Sequence, residues 1–221
     1  MISFVPTPIG NRGDITHRAI EVLKECDLIT CEDTRHSRPL LTYLEVSKPV
    51  IALHEHNEAK KTPELIEKAK NGTHIAVITD AGMPAISDPG YRLMRACIEN
   101  DVEYTVLPGP SAVLTALVGS GFPLHAFFFG GFLSIKKGKR GKALIAATES
   151  EHTSLFFESP HRILSTLEIL KNEAPDHQIC VARELTKKFE TYHRGTSQEL
   201  FDYFTERKAK GEIVLLIHPK S

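Results

Sequence analysis

The stretch Asp80-Ala81-Gly82-Met83-Pro84-Ala85-Ile86-Ser87-Asp88-Pro89-Gly90 decides how the rest of the chain is read. Before it, His74-Ile75-Ala76-Val77-Ile78-Thr79 is a short apolar run of the kind that forms a buried strand; after it, Tyr91 to Ile98 places apolar residues at helical spacing. A strand that ends on an acid and passes through a loop into a helix is part of a βαβ unit, and α/β proteins bind ligands at the carboxyl ends of their strands. Gly82 can adopt backbone conformations closed to other residues, and Pro84 and Pro89 stiffen the loop. Asp88 followed by Pro89 reads as the N-cap and first turn of the next helix. Asp80 has no capping duty, so it is the first candidate site residue.

The same pattern recurs on both sides. Ile2-Ser3-Phe4-Val5 is a strand that stops at Pro6-Thr7-Pro8-Ile9-Gly10, and Asp14-Ile15-Thr16 leads into a helix faced by Ala19, Ile20, Val22, Leu23 and Cys26. Leu28 to Cys31 ends at Glu32-Asp33-Thr34-Arg35-His36, Val50 to Leu53 ends at His54-Glu55-His56-Asn57, and Tyr104 to Leu107 ends at Pro108-Gly109-Pro110-Ser111-Ala112. Neither G-x-G-x-x-G nor G-K-[ST] occurs in these loops, so no dinucleotide or nucleoside triphosphate is indicated. Strands alternating with helices predict a mostly parallel sheet covered by helices. Gly119-Ser120-Gly121-Phe122-Pro123 punctuates the chain and divides it into an N-terminal α/β domain, 1–118, and a C-terminal α/β domain, 119–221. In the second half, Ala126 to Phe129, Ser154 to Phe157, Ile179 to Ala182 and Ile213 to Ile217 read as strands, with Ser159-Pro160 opening one helix and Ser197-Gln198-Glu199 another. Phe127, Phe128 and Phe129 fit a buried strand better than a base-stacking platform.

Composition narrows the class. With 221 residues, 41% hydrophobic and 25% charged, the chain can bury one large or two modest cores. A net charge of −1 means that any nucleic acid would be held by a local basic patch. The one such patch is Lys136-Lys137-Gly138-Lys139-Arg140-Gly141-Lys142, which reads as a mobile loop suited to phosphates or as a merely solvated one. Cys26, Cys31, Cys97 and Cys180 form no C-x-x-C pair and sit in apolar elements, as reduced core thiols do. No apolar run is long enough to span a bilayer and no signal segment is evident, so a cytoplasmic protein is expected. His54 and His56 lack a third ligand at a suitable spacing, so no metal site is expected from them.

Thr7-Pro8-Ile9-Gly10-Asn11, Cys31-Glu32-Asp33-Thr34-Arg35, the Asp80 to Gly90 loop, Pro108 to Ala112, Phe157-Glu158-Ser159-Pro160-His161-Arg162 and Arg183-Glu184-Leu185-Thr186-Lys187 occur in one order. Together they resemble the ribosomal-RNA cytidine 2′-O-methyltransferases of the tetrapyrrole methylase superfamily, over nearly the whole chain. Met83 stands where that family commonly has Thr, and the chain stops soon after its last strand where many members carry a C-terminal extension. The resemblance implies two α/β domains with S-adenosylmethionine in the cleft between them, a homodimer, and methylation of a cytidine ribose in the decoding region of 16S rRNA within the small ribosomal subunit. It implies cofactor contacts from Pro8, Ile9, Asp80, Met83, Ile86, Ser111 and Ala112, with Phe157 and Leu185 from the second domain.

A ribose 2′-hydroxyl is a poor nucleophile, so such chemistry calls for a base or a cation beside it. Candidates are Glu32, Asp33, His56, Glu158, Glu184 and Lys187, with Glu184 and Lys187 placed first as catalytic residues. Arg35, Arg162 and Arg183 are candidate phosphate ligands, each balanced by a structural ion-pair reading, and Lys136, Lys137, Lys139 and Arg140 complete the expected RNA-binding set. Three other functions stay open at this point: a same-fold methyltransferase of a tetrapyrrole or other small acceptor, a metal-dependent phosphate-ester hydrolase using Asp80, Asp88, Glu32 and Asp33, and a non-catalytic RNA-binding module.

Overall fold

The computed structural model describes residues 1–220. The chain divides into two units, Met1–Ser111 and a second from Ala112 onward. The division falls seven residues earlier than the glycine-rich punctuation suggests, and the cause is one helix. Ala112–Ser120 (α5) packs against three strands of the second unit, so it folds with the C-terminal half of the chain.

In the first unit the strands are β1 (Ile2–Phe4), β2 (Leu28–Cys31), β3 (Val50–Ala52), β4 (Ile75–Val77) and β5 (Tyr104–Val106), and the helices are α1 (His17–Glu25), α2 (Thr34–Tyr43), α3 (Glu58–Lys70) and α4 (Tyr91–Glu99). The sheet runs β3-β2-β4-β1-β5 and every pair is parallel. Its two faces bury separate clusters, one around Val5, Leu23, Ile29 and Leu107, the other around Phe4, Leu53, Leu65, Val77 and Leu93. Helices on both sides bury the inner strands β1, β2 and β4, which read as largely apolar runs, whereas the edge strand β5 leaves Tyr104 and Val106 exposed.

The second unit contains β6 (Phe127–Phe132), β7 (Thr153–Glu158), β8 (Gln178–Arg183), β9 (Thr191–Thr196) and β10 (Ile213–Ile217), with α6 (Lys137–Thr148), α7 (Ile163–Glu173) and α8 (Ser197–Glu206). Its sheet, β6-β7-β10-β8-β9, is mixed: only β6 and β7 run parallel. The expectation of a mostly parallel arrangement therefore holds for the first unit alone. β9 carried no signal in the sequence, because a half-exposed edge strand of Thr, Tyr, His, Arg and Gly lacks an apolar stripe.

Two helix starts differ from the sequence reading. Asp88 does not cap α4. The N-cap is Gly90, at φ 127°, and the free N–H groups of Gly90, Arg92 and Leu93 donate to Oε1 of Glu58 at 2.9, 3.0 and 3.3 Å. Glu58 lies buried on α3, so its negative charge meets the positive end of α4 inside the protein. Ser159 likewise precedes α7 by four residues, its carbonyl receiving the N–H groups of Arg162 and Ile163 at 2.9 Å each.

Candidate functional site

The loops after β1, β4 and β5 meet at the carboxyl end of the first sheet. Thr7 and Gly82 form an isolated antiparallel bridge, each backbone N–H donating to the other's carbonyl at 3.0 Å, and the Thr7 hydroxyl donates to the Thr79 carbonyl at 3.0 Å. Gly82 sits at φ 81°, and a Cβ placed there would lie 3.3 Å from Ile9 Cγ2 and 3.7 Å from the Pro110 carbonyl oxygen. Pro8, Ile9, Asp80, Met83 and Ser111 thus lie on three strand-end loops that converge, with Ala112 opening α5. Ile9 is buried, Pro8, Met83, Ser111 and Ala112 are half-buried, and Ile86 is exposed between Ala85 at φ 69° and Ser87 at φ 64°. Non-glycine residues at positive φ carry strain, and such strain gathers at functional sites.

Carboxylates gather beside these loops. Oδ1 of Asp80 faces the Asp33 N–H at 3.5 Å. Freed from capping, Asp88 is half-buried near the carboxylates of Glu32 and Asp80. Burial pushes its carboxyl up to about 6, and the charges of Glu32 and Asp80 add to the rise. Burial likewise raises Glu32, with the charge of Asp80 reinforcing it. Burial and neighbouring negative charge thus both favour the protonated form of these two carboxyls.

The folded carboxyl of Asp88 keeps its proton to about pH 6, whereas 3.8 is the ordinary value, so stability falls as pH rises through that interval and the penalty is complete above it. Asp88→Asn is expected to exceed the parent in stability at pH 7.5 and to match it near pH 4, read by urea denaturation at both. Since the group keeps part of its hydration, about 1 kcal/mol is the expected gain.

Asp33 and Arg35 pair with each other. Nε and Nη2 of Arg35 donate to the Asp33 carboxylate at 3.1 and 2.7 Å, and these bonds hold the Asp33 carboxyl down to about 2. Asp33 is thus a poor base, and Arg35 is an exposed cation already neutralised. His56 is exposed 3.3 Å from Glu55, and His54 shares its Nε2 with Asn57 at 3.0 Å. Among the described residues no three His, Cys, Asp or Glu side chains group so as to hold a metal ion, which leaves the hydrolase reading of Asp80, Asp88, Glu32 and Asp33 without a donor set.

In the second unit the structure corrects several expectations. Glu158 is no base: its buried carboxylate takes the Thr166 hydroxyl at 2.6 Å, the Ser159 N–H at 2.7 Å and Arg162 Nη2 at 2.8 Å. Arg162 also donates to the Leu133 carbonyl at 3.3 Å, so it braces the strand end. Arg183 donates to the Lys210 carbonyl at 2.8 Å and the Thr191 hydroxyl at 3.0 Å. The basic stretch is not a mobile loop but the first turns of α6, and Arg140 is buried there, donating to Ser165 Oγ at 3.1 Å. Lys136, Lys137 and Lys139 remain exposed. Phe127, Phe128 and Phe132 lie on an edge strand and are 42, 54 and 62% exposed, contrary to the buried-strand reading. Phe157 is half-buried, its ring 4.9 Å from that of Phe129 and 5.2 Å from that of Phe132.

Glu184 and Lys187 do come together, in a turn at the end of β8 around buried Leu185. Lys187 Nζ donates to Glu184 Oε1 and to Glu212 Oε2, each at 2.9 Å. Burial opposes both charges, but the hydrogen bonds outweigh it: Glu184 is held below the usual carboxylate range and Lys187 above the usual ammonium range. Both stay charged at neutral pH, so Lys187 is a fixed cation and Glu184 a weak base. Glu212 and Gly211 were missed in the sequence, where their only signal is the place of Gly-Glu directly before the last strand.

A model of the Tetrapyrrole (Corrin/Porphyrin) Methylases matches residues 1–200. The chain is 45% identical over 221 residues to the Ribosomal RNA small subunit methyltransferase I of Vibrio cholerae, covering 99% of this chain and 77% of that one. It is 44% identical over 218 residues to the protein of the same name from Synechocystis, covering 98% and 78%. Among solved structures, diphthine synthase aligns with a TM-score of 0.74 at 16% identity, over 98% of this chain and 89% of that one. The methyltransferase CobJ aligns with a TM-score of 0.71 at 20% identity, over 99% and 93%. The structural likenesses speak for the fold alone.

Proposed function

This chain belongs to the tetrapyrrole (corrin/porphyrin) methylase family, and from that premise we propose that it methylates small-subunit ribosomal RNA with S-adenosylmethionine, at the ribose 2′-hydroxyl of a cytidine in the decoding region. The observation that carries the reading is the convergence of the loops after β1, β4 and β5 at Gly82, where a side chain would fill the space against Ile9. Such a place fits the donor. It offers backbone groups, the apolar side chains of Ile9, Met83 and Ile86, and the Asp80 carboxylate for a cationic group. Met83 in place of the family's Thr is compatible with contacts made by backbone.

When bound, S-adenosylmethionine supplies a sulfonium methyl group to the ribose 2′-oxygen by in-line displacement, the carbon–sulfur bond leaving its electron pair on sulfur and the hydroxyl proton passing to solvent. The chain's own residues then have three tasks. Pro8, Ile9, Asp80, Met83, Ile86, Ser111 and Ala112 hold the donor. Lys187, kept charged by its two carboxylates, stabilises the oxygen as it loses its proton, and Glu184 holds Lys187. Lys136, Lys137 and Lys139 meet phosphates as exposed cations. Arg140 and Arg162 are structural, and Arg35 and Arg183 reach phosphate only by giving up bonds they already make. A homodimer is part of the proposal, supported by the exposed Phe128 and Phe132 on the β6 edge, a surface that a second copy would cover. No helix among the described residues is long and apolar enough to cross a membrane.

Titration with S-adenosylmethionine, without added metal, tests the donor half. One site per chain is expected, weakened roughly tenfold or more in Asp80→Ala, the size of a lost charged hydrogen bond. Donor binding without methyl transfer to unmodified small subunits would reject the RNA half and leave a small-acceptor methyltransferase.

A further inference from the structure

We propose that Glu212 is a positioning residue for the methyl-transfer site, fixing the direction of the Lys187 ammonium, and that Gly211 is the opening that lets it do so. The inference rests on the assignment of Lys187 above and extends it to two residues outside that assignment.

The geometry begins with strand pairing. β8 and β10 are antiparallel with Arg183 opposite Ile213, so the residues just beyond, Glu184 and Glu212, face each other past the last rung. Their backbones continue the ladder: the Glu184 N–H donates to the Glu212 carbonyl at 3.0 Å, while the Glu212 N–H donates to Glu184 Oε1 at 3.0 Å. One carboxylate oxygen of Glu184 therefore receives both the Glu212 amide and the Lys187 ammonium. Glu212 Oε2 takes a second proton of that ammonium from the other side at 2.9 Å. Two of the three N–H bonds of Lys187 are spoken for, and their directions set where the third points. A lysine on a four-carbon stem is otherwise a loosely aimed charge.

Space and strain single out the arrangement as built. Gly211 lies at φ 81°, and a Cβ there would come within 2.2 Å of Glu184 Cδ and Oε1, so the chain passes flat against the carboxylate. Glu184 and Thr186 are at φ 50° and 62°, flanking the buried Leu185. Left-handed conformations are strained for an ordinary residue, and a β-branched threonine is a marked exception there. An ion pair meant only for stability would not call for two strained residues and a backbone pressed against the acid. Glu212 keeps 73% of its side chain exposed, so its bond to Lys187 orients more than it stabilises.

The test is a double-mutant cycle on methyl transfer to unmodified small subunits, using Glu212→Ala, Glu212→Gln, Lys187→Ala and the double alanine variant. Glu212→Ala is expected to lower kcat by about 10- to 100-fold, the scale of a misdirected catalytic group. KM for the donor should stay within twofold, and Glu212→Gln, which still accepts the bond, should recover part of the rate. In the Lys187→Ala background the same Glu212 change should cost less than about twofold, because there is no ammonium left to aim. Equal losses in both backgrounds would overturn the inference, as would a Glu212→Ala or a Lys187→Ala enzyme with parental kcat. Absence of methyl transfer by the wild-type protein would instead reject the functional reading beneath it.

Discussion

Glu158→Ala is expected to cost the second unit about 3 kcal/mol or more, one of the largest losses any single change should produce. The side chain has no exposed surface, and its carboxylate is the common acceptor for the Thr166 hydroxyl, the Ser159 N–H and Arg162. Alanine removes the acceptor and leaves the donors behind. The Thr166 hydroxyl is buried away from solvent, and a buried donor left unmet costs about 1–3 kcal/mol. Arg162, 24% exposed, loses its counter-charge while its remaining bond still ties it to the Leu133 carbonyl. Glu158→Gln separates the contributions, since it keeps an acceptor of the same shape and gives up only the charge, and about half the loss is expected. Urea denaturation followed by a probe in the second unit reads both. A Glu158→Ala protein within 1 kcal/mol of the parent would mean that the neighbourhood rehydrates or repacks around the gap, and a base role for Glu158 would then merit a fresh look.

Glu158 also illustrates what a sequence can and cannot convey. Its place at a strand tip was legible, because Ser154 to Phe157 is an apolar run that ends on polar residues, and the same reasoning located every strand of the first sheet. Its role was not, because the Thr166 partner sits eight residues on and enters only when α7 folds back. Asp88 failed for a related reason: a local Asp-Pro cap competes with Glu58, which comes from a helix 32 residues before Gly90 and reaches three N–H groups at once. With the cap supplied from afar, Asp88 is left half-buried near the carboxylates of Glu32 and Asp80 at the strand tips. Arg140 looked like one more cation in a basic run, yet helical geometry carries it inward while Lys136, Lys137 and Lys139 stay out. β9 and the Gly211-Glu212 pair depend on which strands lie side by side, and spacing along the chain holds no record of that. What local pattern reports well is the strand-to-loop transition, and the donor loops consist of little else.

The same loops carry the second large effect, expected for Gly82→Val. Two independent conditions make glycine necessary there. At φ 81° a β-branched residue is an outlier in its own right, worth about 1–2 kcal/mol before any contact is considered. The added Cβ would press on Ile9 Cγ2 at 3.3 Å, closer than such contacts comfortably lie, and valine's two further methyl carbons extend toward the same wall and the Pro110 carbonyl. Relief could come from the Asp80 to Gly90 loop moving away, but the Thr7 bridge holds it by two 3.0 Å hydrogen bonds and the Thr7 hydroxyl ties the neighbouring turn. The substitution must therefore either break that bridge or displace the loop after β1, and both disturb the place assigned to the donor. A loss of about 2–3 kcal/mol in stability is expected, from strain and overpacking together. S-adenosylmethionine affinity should fall on the order of 100-fold by titration at a temperature where the variant is folded. Gly82→Ala serves as the graded control, retaining the φ penalty with one methyl group in place of three carbons, and should lie between. If Gly82→Val folds and binds the donor as the parent does, the three converging loops are a structural knot and the donor site must be sought elsewhere; if affinity falls in the order Gly, Ala, Val while the Glu184 and Lys187 turn is untouched, donor binding is assigned to this end of the first sheet independently of the residues proposed to act on the acceptor.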